Sequence, residues 1–167
     1  MVEVGTIGNE GMVGISVYFG AMLLEVLTVV QVPGPGAHMM RAGVFAAEME
    51  RRGALYELVR RYSQALLALM MQSVACNGLH AVDQRCARWL LMSHDRAGSS
   101  FILTQEHLAA MLGVRRSSVS EVAKRLHAQG LMKYARGRIT ILNRRGLEKL
   151  TCECYGVVRA TFDRLVP

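Results

Sequence analysis

Two amphipathic segments separated by Gly113 lie between residues 104 and 128 of this 167-residue chain. The first segment places three apolar residues on one helical face: Leu108, Met111 and Leu112. The second, from about residue 115 to 128, does the same with Val119, Val122, Ala123 and Leu126. Glycine permits the tight turn that two such helices need between them. The spacing therefore predicts a helix-turn-helix.

The ends and outer surface of these predicted helices carry polar groups. Thr104, followed by Gln105, Glu106 and His107, is typical of a helix start, because its hydroxyl can cap free backbone N–H groups. The outward residues of the second helix are Arg116, Ser117, Ser120, Glu121, Lys124 and Arg125. Arginine and serine donors, together with free N–H groups at a helix start, suit base edges and phosphates in a major groove.

A β-hairpin with a basic tip is predicted after Gly130. Residues 131–134 and 139–141 flank Ala135-Arg136-Gly137-Arg138, which gives the helix pair a wing. Residues 113–138 hold seven basic side chains against one acidic, Glu121. A single arginine is usually just a solvated charge, but this density together with the helix-turn-helix spacing favours a phosphate backbone as partner.

Charge divides the chain into two parts. Residues 1–80 carry five Arg against six Glu, a net charge of −1, whereas the remainder carries 15 basic and 7 acidic residues, a net charge of +8. With 51% apolar and 20% charged residues, wholesale disorder is excluded. The uneven charge predicts two units with different tasks.

Residues 81–145 resemble the winged helix-turn-helix domain of the Crp/Fnr superfamily of bacterial transcription regulators. The resemblance rests on Thr-Gln-Glu-x-Leu-Ala-x-x-Leu-Gly-Val-x-Arg-x-Ser-Val-Ser from Thr104, the Gly130-Leu131 turn and Arg-Gly-Arg-Ile-Thr-Ile from Arg136. It implies a homodimeric, sequence-specific DNA-binding transcription regulator on an inverted-repeat site. It also implies that Thr104 and Gln105 hold phosphates and that Arg116 reads a guanine.

The expected partners are double-stranded DNA and a second copy of the chain, with RNA polymerase as a further candidate and no membrane. The predicted DNA contacts are Thr104, Gln105, Arg115, Arg116, Ser117, Ser118, Ser120, Glu121, Lys124, Arg125, Arg136 and Arg138. Two positions depart from the family, Ser117 where glutamate is common and Glu121 where arginine is common, so the half-site sequence does not transfer. Glu121 suits either a cytosine amino group or a pair with Arg125 at i+4.

A long helix is predicted over residues 44–79, where Gly53 and Gly78 are the only breakers. Seven of its residues alternate at spacings of four and three: Leu55, Val59, Tyr62, Leu66, Leu69, Ser73 and Cys76. This seam is the predicted dimer interface, and the long helix resembles the family's dimerisation helix. The alternative is an ordinary amphipathic helix that packs on its own domain, since Leu58 and Met70 widen the stripe.

The apolar stretch over residues 11–32 is rich in β-branched residues and ends at Pro33-Gly34-Pro35-Gly36, which favours short strands over a membrane span. Residues 6–19 resemble the closing strands of the family's cyclic-nucleotide-type β-roll, whose earlier strands this chain does not show. Because no Arg or Lys precedes Arg41, we expect no cyclic nucleotide to bind.

The expected fold class is therefore α+β and mainly helical, in three parts. Residues 1–43 form a remnant antiparallel β-roll as a partial sensor domain, residues 44–80 a dimerisation helix, and residues 81–167 the winged helix-turn-helix. A further helix is predicted from Val82 to His94.

The four cysteines are Cys76, Cys86, Cys152 and Cys154. No secretory leader is recognisable, so we expect a cytoplasmic protein with reduced thiols. Cys152-Glu153-Cys154 is a C-x-C sequence without histidine at zinc-finger spacing, which favours ordinary thiols and predicts no metal and no cofactor. No nucleophile, metalloprotease or phosphate-cradling motif is found, so we expect no enzyme.

Two other functions stay open. The chain could pair through its long helix with a longer relative and act as its interaction partner or inhibitor. It could also sense an effector or a redox change through Cys76, Cys86 or the apolar residues of the roll.

Overall fold

The computed structural model describes residues 3–21, 27–34 and 36–166. The helices are Ala42–Glu50 (α1), Ala54–Leu79 (α2), Val82–Ala97 (α3), Gln105–Leu112 (α4), Arg116–Ala128 (α5), Arg144–Leu150 (α6) and Cys154–Leu165 (α7). The strands are Ser100–Ile102 (β1), Met132–Ala135 (β2) and Arg138–Ile141 (β3). The predicted α+β, mainly helical class is confirmed.

The three strands form an antiparallel sheet in the order β1-β3-β2, with Ile139 paired to Phe101 on one side and to Tyr134 on the other. The β2–β3 turn holds Arg136 at φ 50° and Gly137 at φ 74°. Two successive left-handed residues are what a tight two-residue hairpin turn requires. The predicted hairpin with a basic tip is therefore present.

The segment predicted as one long helix contains two helices. Helix α1 ends at Glu50, and Arg52 takes a left-handed φ of 50° before Gly53 caps α2. A left-handed residue cannot continue a right-handed helix, so the chain changes direction here. Helix α2 then runs for 26 residues without interruption and packs against α7.

No strand lies in the described residues before Ser100, so the predicted β-roll remnant is wrong there. Among the described residues before α1, the regular structure is a single turn of 3-10 helix at Ile15–Val17. Residues 22–26 and 35, which belong to the predicted β-roll remnant, lie outside the described residues. A strand needs a neighbouring strand for its backbone groups, and this segment finds helices instead. Its backbone bonds to them: Glu3 N donates to Met111 O at 2.9 Å, and Tyr62 Oη donates to Met12 O at 3.1 Å.

The main core lies between α2, α3, α4, α5 and the sheet. Leu69, Leu90, Val119, Leu126 and Ile139 are each at most 1% exposed. No helix in the described ranges combines the length and apolarity needed to cross a bilayer.

Six of the seven residues predicted at the dimer seam belong to the interior of this same chain. Leu55 is exposed, but the others are buried: Val59, Tyr62, Leu66, Leu69, Ser73 and Cys76. The N-terminal segment covers part of this face, because Gly11 passes so close to the Tyr62 ring that a Cβ there would lie 2.6 Å from it. The prediction that these six residues form a dimer interface is therefore wrong. They fit the alternative, an amphipathic helix that packs on its own domain.

Candidate nucleic-acid interface

The helix-turn-helix has the predicted local geometry. Thr104 is the N-cap of α4, and its Oγ1 accepts a hydrogen bond from His107 N at 3.1 Å. Gly113 ends α4 at a left-handed φ of 63°, and α5 begins three residues later. The predicted apolar faces are buried: Leu108, Met111, Leu112, Val119, Val122, Ala123 and Leu126.

A side-chain hydrogen bond joins the starts of the two helices. Ser120 Oγ donates to Gln105 Oε1 at 2.6 Å, so the first residue of α4 lies beside the second turn of α5. Both residues were predicted as DNA contacts. Because the Gln105 carbonyl is occupied by Ser120, the amide nitrogen of Gln105 is the part left to donate to a phosphate.

The outer face of α5 and the residue before it are accessible. Exposed side chains are Arg115, Arg116, Ser117, Glu121 and Lys124, whereas Ser118 and Ser120 are half-buried. Backbone N–H groups at the start of this 13-residue helix have no intrahelical partner, and the helix dipole places partial positive charge there. This end of α5 therefore presents donors and positive charge together.

Arg125 does not face solvent freely. Its Nε and Nη2 donate to the two carboxylate oxygens of Asp83, at 3.0 and 2.6 Å, and this hydrogen bonding raises the pKa of Arg125. The alternative in which Glu121 pairs with Arg125 is wrong, because Asp83 on α3 offers a two-pronged partner for the planar guanidinium. Glu121 forms no ion pair within the described ranges. Sequence reasoning missed Asp83, since it lies 42 residues away.

The hairpin carries the remaining predicted contacts. Arg136 is exposed at its tip, and Arg138 is exposed on β3, where its Nη1 lies 3.4 Å from Ser100 Oγ. Lys133 is exposed on β2. These cations are held by a short paired hairpin, and Ile139 anchors the hairpin in the core.

Residues 84–150 match the sequence model of the Crp-like helix-turn-helix domain. These residues are similar to that domain, and we refer to them as the Crp-like domain. The resemblance to Crp/Fnr regulators is thereby confirmed. No curated protein matches the chain in sequence.

Solved structures are similar to part of this chain. A Crp/Fnr-family transcriptional regulator from Thermus thermophilus has a TM-score of 0.51 at 23% identity, covering 55% of this chain and 50% of its own. A doubly substituted CooA from Carboxydothermus hydrogenoformans has a TM-score of 0.54 at 17% identity, covering 63% and 52%. A Crp/Fnr-family protein from Eubacterium rectale is 27% identical over 65% and 51%, with a TM-score of 0.47. This chain spans about half the length of these proteins.

A polar network fixes the Crp-like domain to the C-terminal helix. Arg144 of α6 donates to Asp95 Oδ1 at 2.6 Å and to Tyr155 Oη at 2.5 Å, and Tyr155 donates to Asp95 Oδ2 at 2.8 Å. Burial and the Asp95 hydrogen bond raise the pKa of Tyr155, so its hydroxyl keeps its proton. The network joins α3, α6 and α7, and no local sequence pattern indicates it.

The cysteines occupy two different environments. Cys86 is fully buried in α3, and burial raises its pKa to about 12, so it is a poor nucleophile and a poor redox sensor. Cys76, Cys152 and Cys154 lie together with His80. One ligand atom from each of these residues lies within 4.8 Å of the other three. Sequence reasoning weighed the C-x-C pair alone. The missed signal is the four-residue spacing of Cys76 and His80, which brings two side chains to the same side where α2 ends.

Proposed function

We propose that this chain is a sequence-specific DNA-binding transcription regulator that acts as a homodimer on an inverted-repeat site. The observation that carries the proposal is the accessible start of α5, with Arg116 exposed on a helix that side-chain hydrogen bonds join to α3 and α4. Residues 81–167 would be the DNA-binding unit, and α2 would join two copies. An inverted repeat follows because two-fold symmetry places two α5 helices about one helical turn of DNA apart.

The chemistry of the exposed groups suggests a division of tasks. Arg116 has the planar donor pair that fits guanine O6 and N7, and Glu121, free of Arg125, can accept from a cytosine amino group. Thr104 and Gln105 at the start of α4 suit phosphates. Lys133, Arg136 and Arg138 on the hairpin suit the flanking backbone, and their contribution depends on salt.

Arg125 fits a different task from the one the sequence predicts. Its guanidinium is held by both oxygens of Asp83, which ties α5 to the first turn of α3. We infer that Arg125 positions the recognition helix instead of contacting DNA.

The homodimer contact is proposed on another face of α2 than the predicted seam. Leu67, Met71 and Val74 are 57, 61 and 66% exposed and follow the spacing of four and three that two paired helices require. A second copy would bury this apolar stripe against its own equivalent, as a two-fold axis demands. In a single copy, these three large apolar side chains remain exposed to water on one face of the helix.

The first experiment selects binding sites from a random duplex library with the purified chain. We expect an inverted repeat and a steep fall of affinity with salt. Arg116→Ala should reduce discrimination between the selected site and a scrambled one by about 1–3 kcal/mol. Arg164→Ala, which removes an exposed arginine at the end of α7, is the matched control and should leave discrimination unchanged.

Weak, sequence-independent binding, or equal discrimination by the Arg116 and Arg164 variants, would contradict the proposal. Co-purification with a longer relative would then support the alternative of an interaction partner or inhibitor.

Dimerisation has its own test. Met71→Lys places a charge in the middle of the stripe and should shift the sedimentation coefficient from dimer to monomer. Leu79→Lys, at an 80% exposed position near the end of the same helix, should leave the dimer intact. A wild-type chain that sediments as a monomer at all concentrations would reject the homodimer.

A further inference from the structure

Three cysteines and one histidine from distant parts of the chain meet where α2 ends and α7 begins. Cys76 and His80 come from the last turn of α2 and the residue after it, and Cys152 and Cys154 from the start of α7. Their three Sγ atoms and one imidazole nitrogen lie within 4.8 Å of one another. Cys76 and Cys154 are fully buried and Cys152 is 4% exposed. No step of the proposed DNA recognition uses these groups.

Two of the separations within this Cys3His cluster match the edges of a tetrahedral metal site. Cys76 Sγ lies 3.6 Å from Cys152 Sγ, and Cys154 Sγ lies 3.5 Å from His80 Nδ1. A tetrahedral zinc ion with Zn–S of about 2.3 Å and Zn–N of about 2.0 Å has ligand-to-ligand edges of about 3.5–3.8 Å. A disulfide would instead require about 2.05 Å between sulfur atoms.

The imidazole ring of His80 has the orientation expected of a metal ligand. Its Nε2 lies 3.2 Å from Glu153 Oε1, so the ring can donate from Nε2 and direct the lone pair of Nδ1 at the sulfur atoms. A carboxylate behind a histidine is the arrangement that fixes the tautomer of zinc-bound imidazole. Gln72 Nε2 also donates to Cys154 Sγ at 3.0 Å, and such a donor stabilises a thiolate.

A buried cation bonds to Ser73, one helical turn before Cys76. Arg88 is 8% exposed, its Nη2 donates to Ser73 Oγ at 2.9 Å, and its Nε has no hydrogen-bond partner in the described part of the chain. Ser73 precedes Cys76 by one helical turn. Three thiolates and a divalent ion carry a net charge of −1, which this guanidinium balances.

We propose that Cys76, His80, Cys152 and Cys154 bind one zinc ion, which fastens the end of α2 to the start of α7. Thiolate and imidazole ligands select zinc over magnesium or calcium. Binding forms three Zn–S bonds and one Zn–N bond, and the three thiol protons pass to solvent. The inference does not depend on DNA binding.

Cobalt titration of the reduced, metal-free full chain tests the site. We expect one equivalent of Co²⁺ per chain, with the visible bands of tetrahedral coordination and a sulfur-to-cobalt charge-transfer band, and displacement of cobalt by Zn²⁺. Cys154→Ser should lose the charge-transfer intensity of one thiolate and bind at least tenfold more weakly. Cys86→Ser removes a buried thiol outside the cluster and should titrate as the wild type does.

Glu153→Gln is a second variant that tests the site without removing a buried side chain. The Glu153 side chain is 71% exposed, so the change should leave the circular dichroism spectrum unaltered and weaken cobalt binding about 10- to 100-fold. Octahedral bands, equal binding by the Cys154 variant and the wild type, or a Cys76–Cys152 disulfide that forms under the same reducing conditions would overturn the proposal.

Discussion

The Crp-like domain, residues 84–150, and the N-terminal segment, residues 3–34, differ in how their structure is determined. In the domain, α4, α5 and the β2–β3 hairpin lie where the local pattern predicts them. In the segment, β-branched residues predict strands, and the described part contains one short turn of 3-10 helix. A helix satisfies its backbone hydrogen bonds within itself, whereas a strand depends on another strand. The same chain therefore contains one region specified locally and one specified by its surroundings.

The two regions also differ in how they are held. The domain has a continuous, fully buried apolar core, whereas the segment adds only partly buried apolar residues to that core, Met12, Ile15 and Val32, and is also tied to it by two half-buried carboxylates. Glu3 accepts from Trp89 Nε1 at 2.6 Å, from Gln31 Nε2 at 2.8 Å and from Thr6 Oγ1 at 2.5 Å. Glu10 Oε1 lies 2.5 Å from Arg96 Nη2. Local opening of the segment should therefore require less free energy than opening of the domain.

Leu126→Ala gives the largest contrast between the regions. Leu126 is 1% exposed, so its truncation leaves a cavity and should lower the free energy of unfolding by about 2–5 kcal/mol. Val13→Ala, at a 55% exposed position of the segment, should stay within about 0.5 kcal/mol. Urea unfolding measures both, and equal losses would show that the segment is part of the same core.

Glu3→Ala tests the polar attachment of the segment. Loss of the carboxylate leaves the Trp89 N–H without its acceptor and should reduce stability by about 1–3 kcal/mol. Amide hydrogen exchange should accelerate in residues 3–18 and remain slow in α5. Glu3→Gln, which keeps one acceptor oxygen, is the control. Faster exchange throughout the domain would contradict a separately opening segment.

Two helical glycines in the C-terminal half, Gly146 and Gly156, differ in the space around them, so replacing each with alanine should have opposite effects on stability. A Cβ at Gly146 of α6 would overlap Leu131, so Gly146→Ala should lower the free energy of unfolding by about 1–3 kcal/mol. Gly156 of α7 has open space around it, and Gly156→Ala should raise stability by about 0.5–1 kcal/mol. Thermal denaturation distinguishes them, and a shift of the same sign in both would refute the packing at Gly146.

Asp83→Asn has the smallest expected effect. The Asp83–Arg125 pair is exposed, so its loss should change stability slightly, at low salt only. Arg125→Gln should add nothing further in the Asp83→Asn background. Additive effects in this double-mutant cycle would show that the two residues act separately.

The helix-turn-helix was predictable because its signals lie within 25 residues: the Thr104 cap, the left-handed Gly113 and the apolar spacing of both helices. The hairpin was predictable from Arg136-Gly137 for the same reason. These features depend on backbone preferences that act over a few residues.

Contacts between distant residues were not predictable. The face of α2 that is buried depends on α3, α7 and the N-terminal segment, and a spacing of four and three does not say which neighbour covers it. Asp83 and Arg125 lie 42 residues apart, and Cys76 and Cys152 lie 76 apart. Side chains at such separations meet only through the tertiary fold.

Helix α2 carries both the exposed Leu67–Val74 stripe and Cys76 of the Cys3His cluster, and His80 of the cluster follows directly at its end. Two equilibria proposed here, self-association and ion uptake, thus share a single element. Thermodynamic reciprocity then applies between them: the factor by which an ion changes the association constant equals the factor by which association changes the affinity for that ion. Metal availability and protein concentration would accordingly act on the same population of assembled molecules.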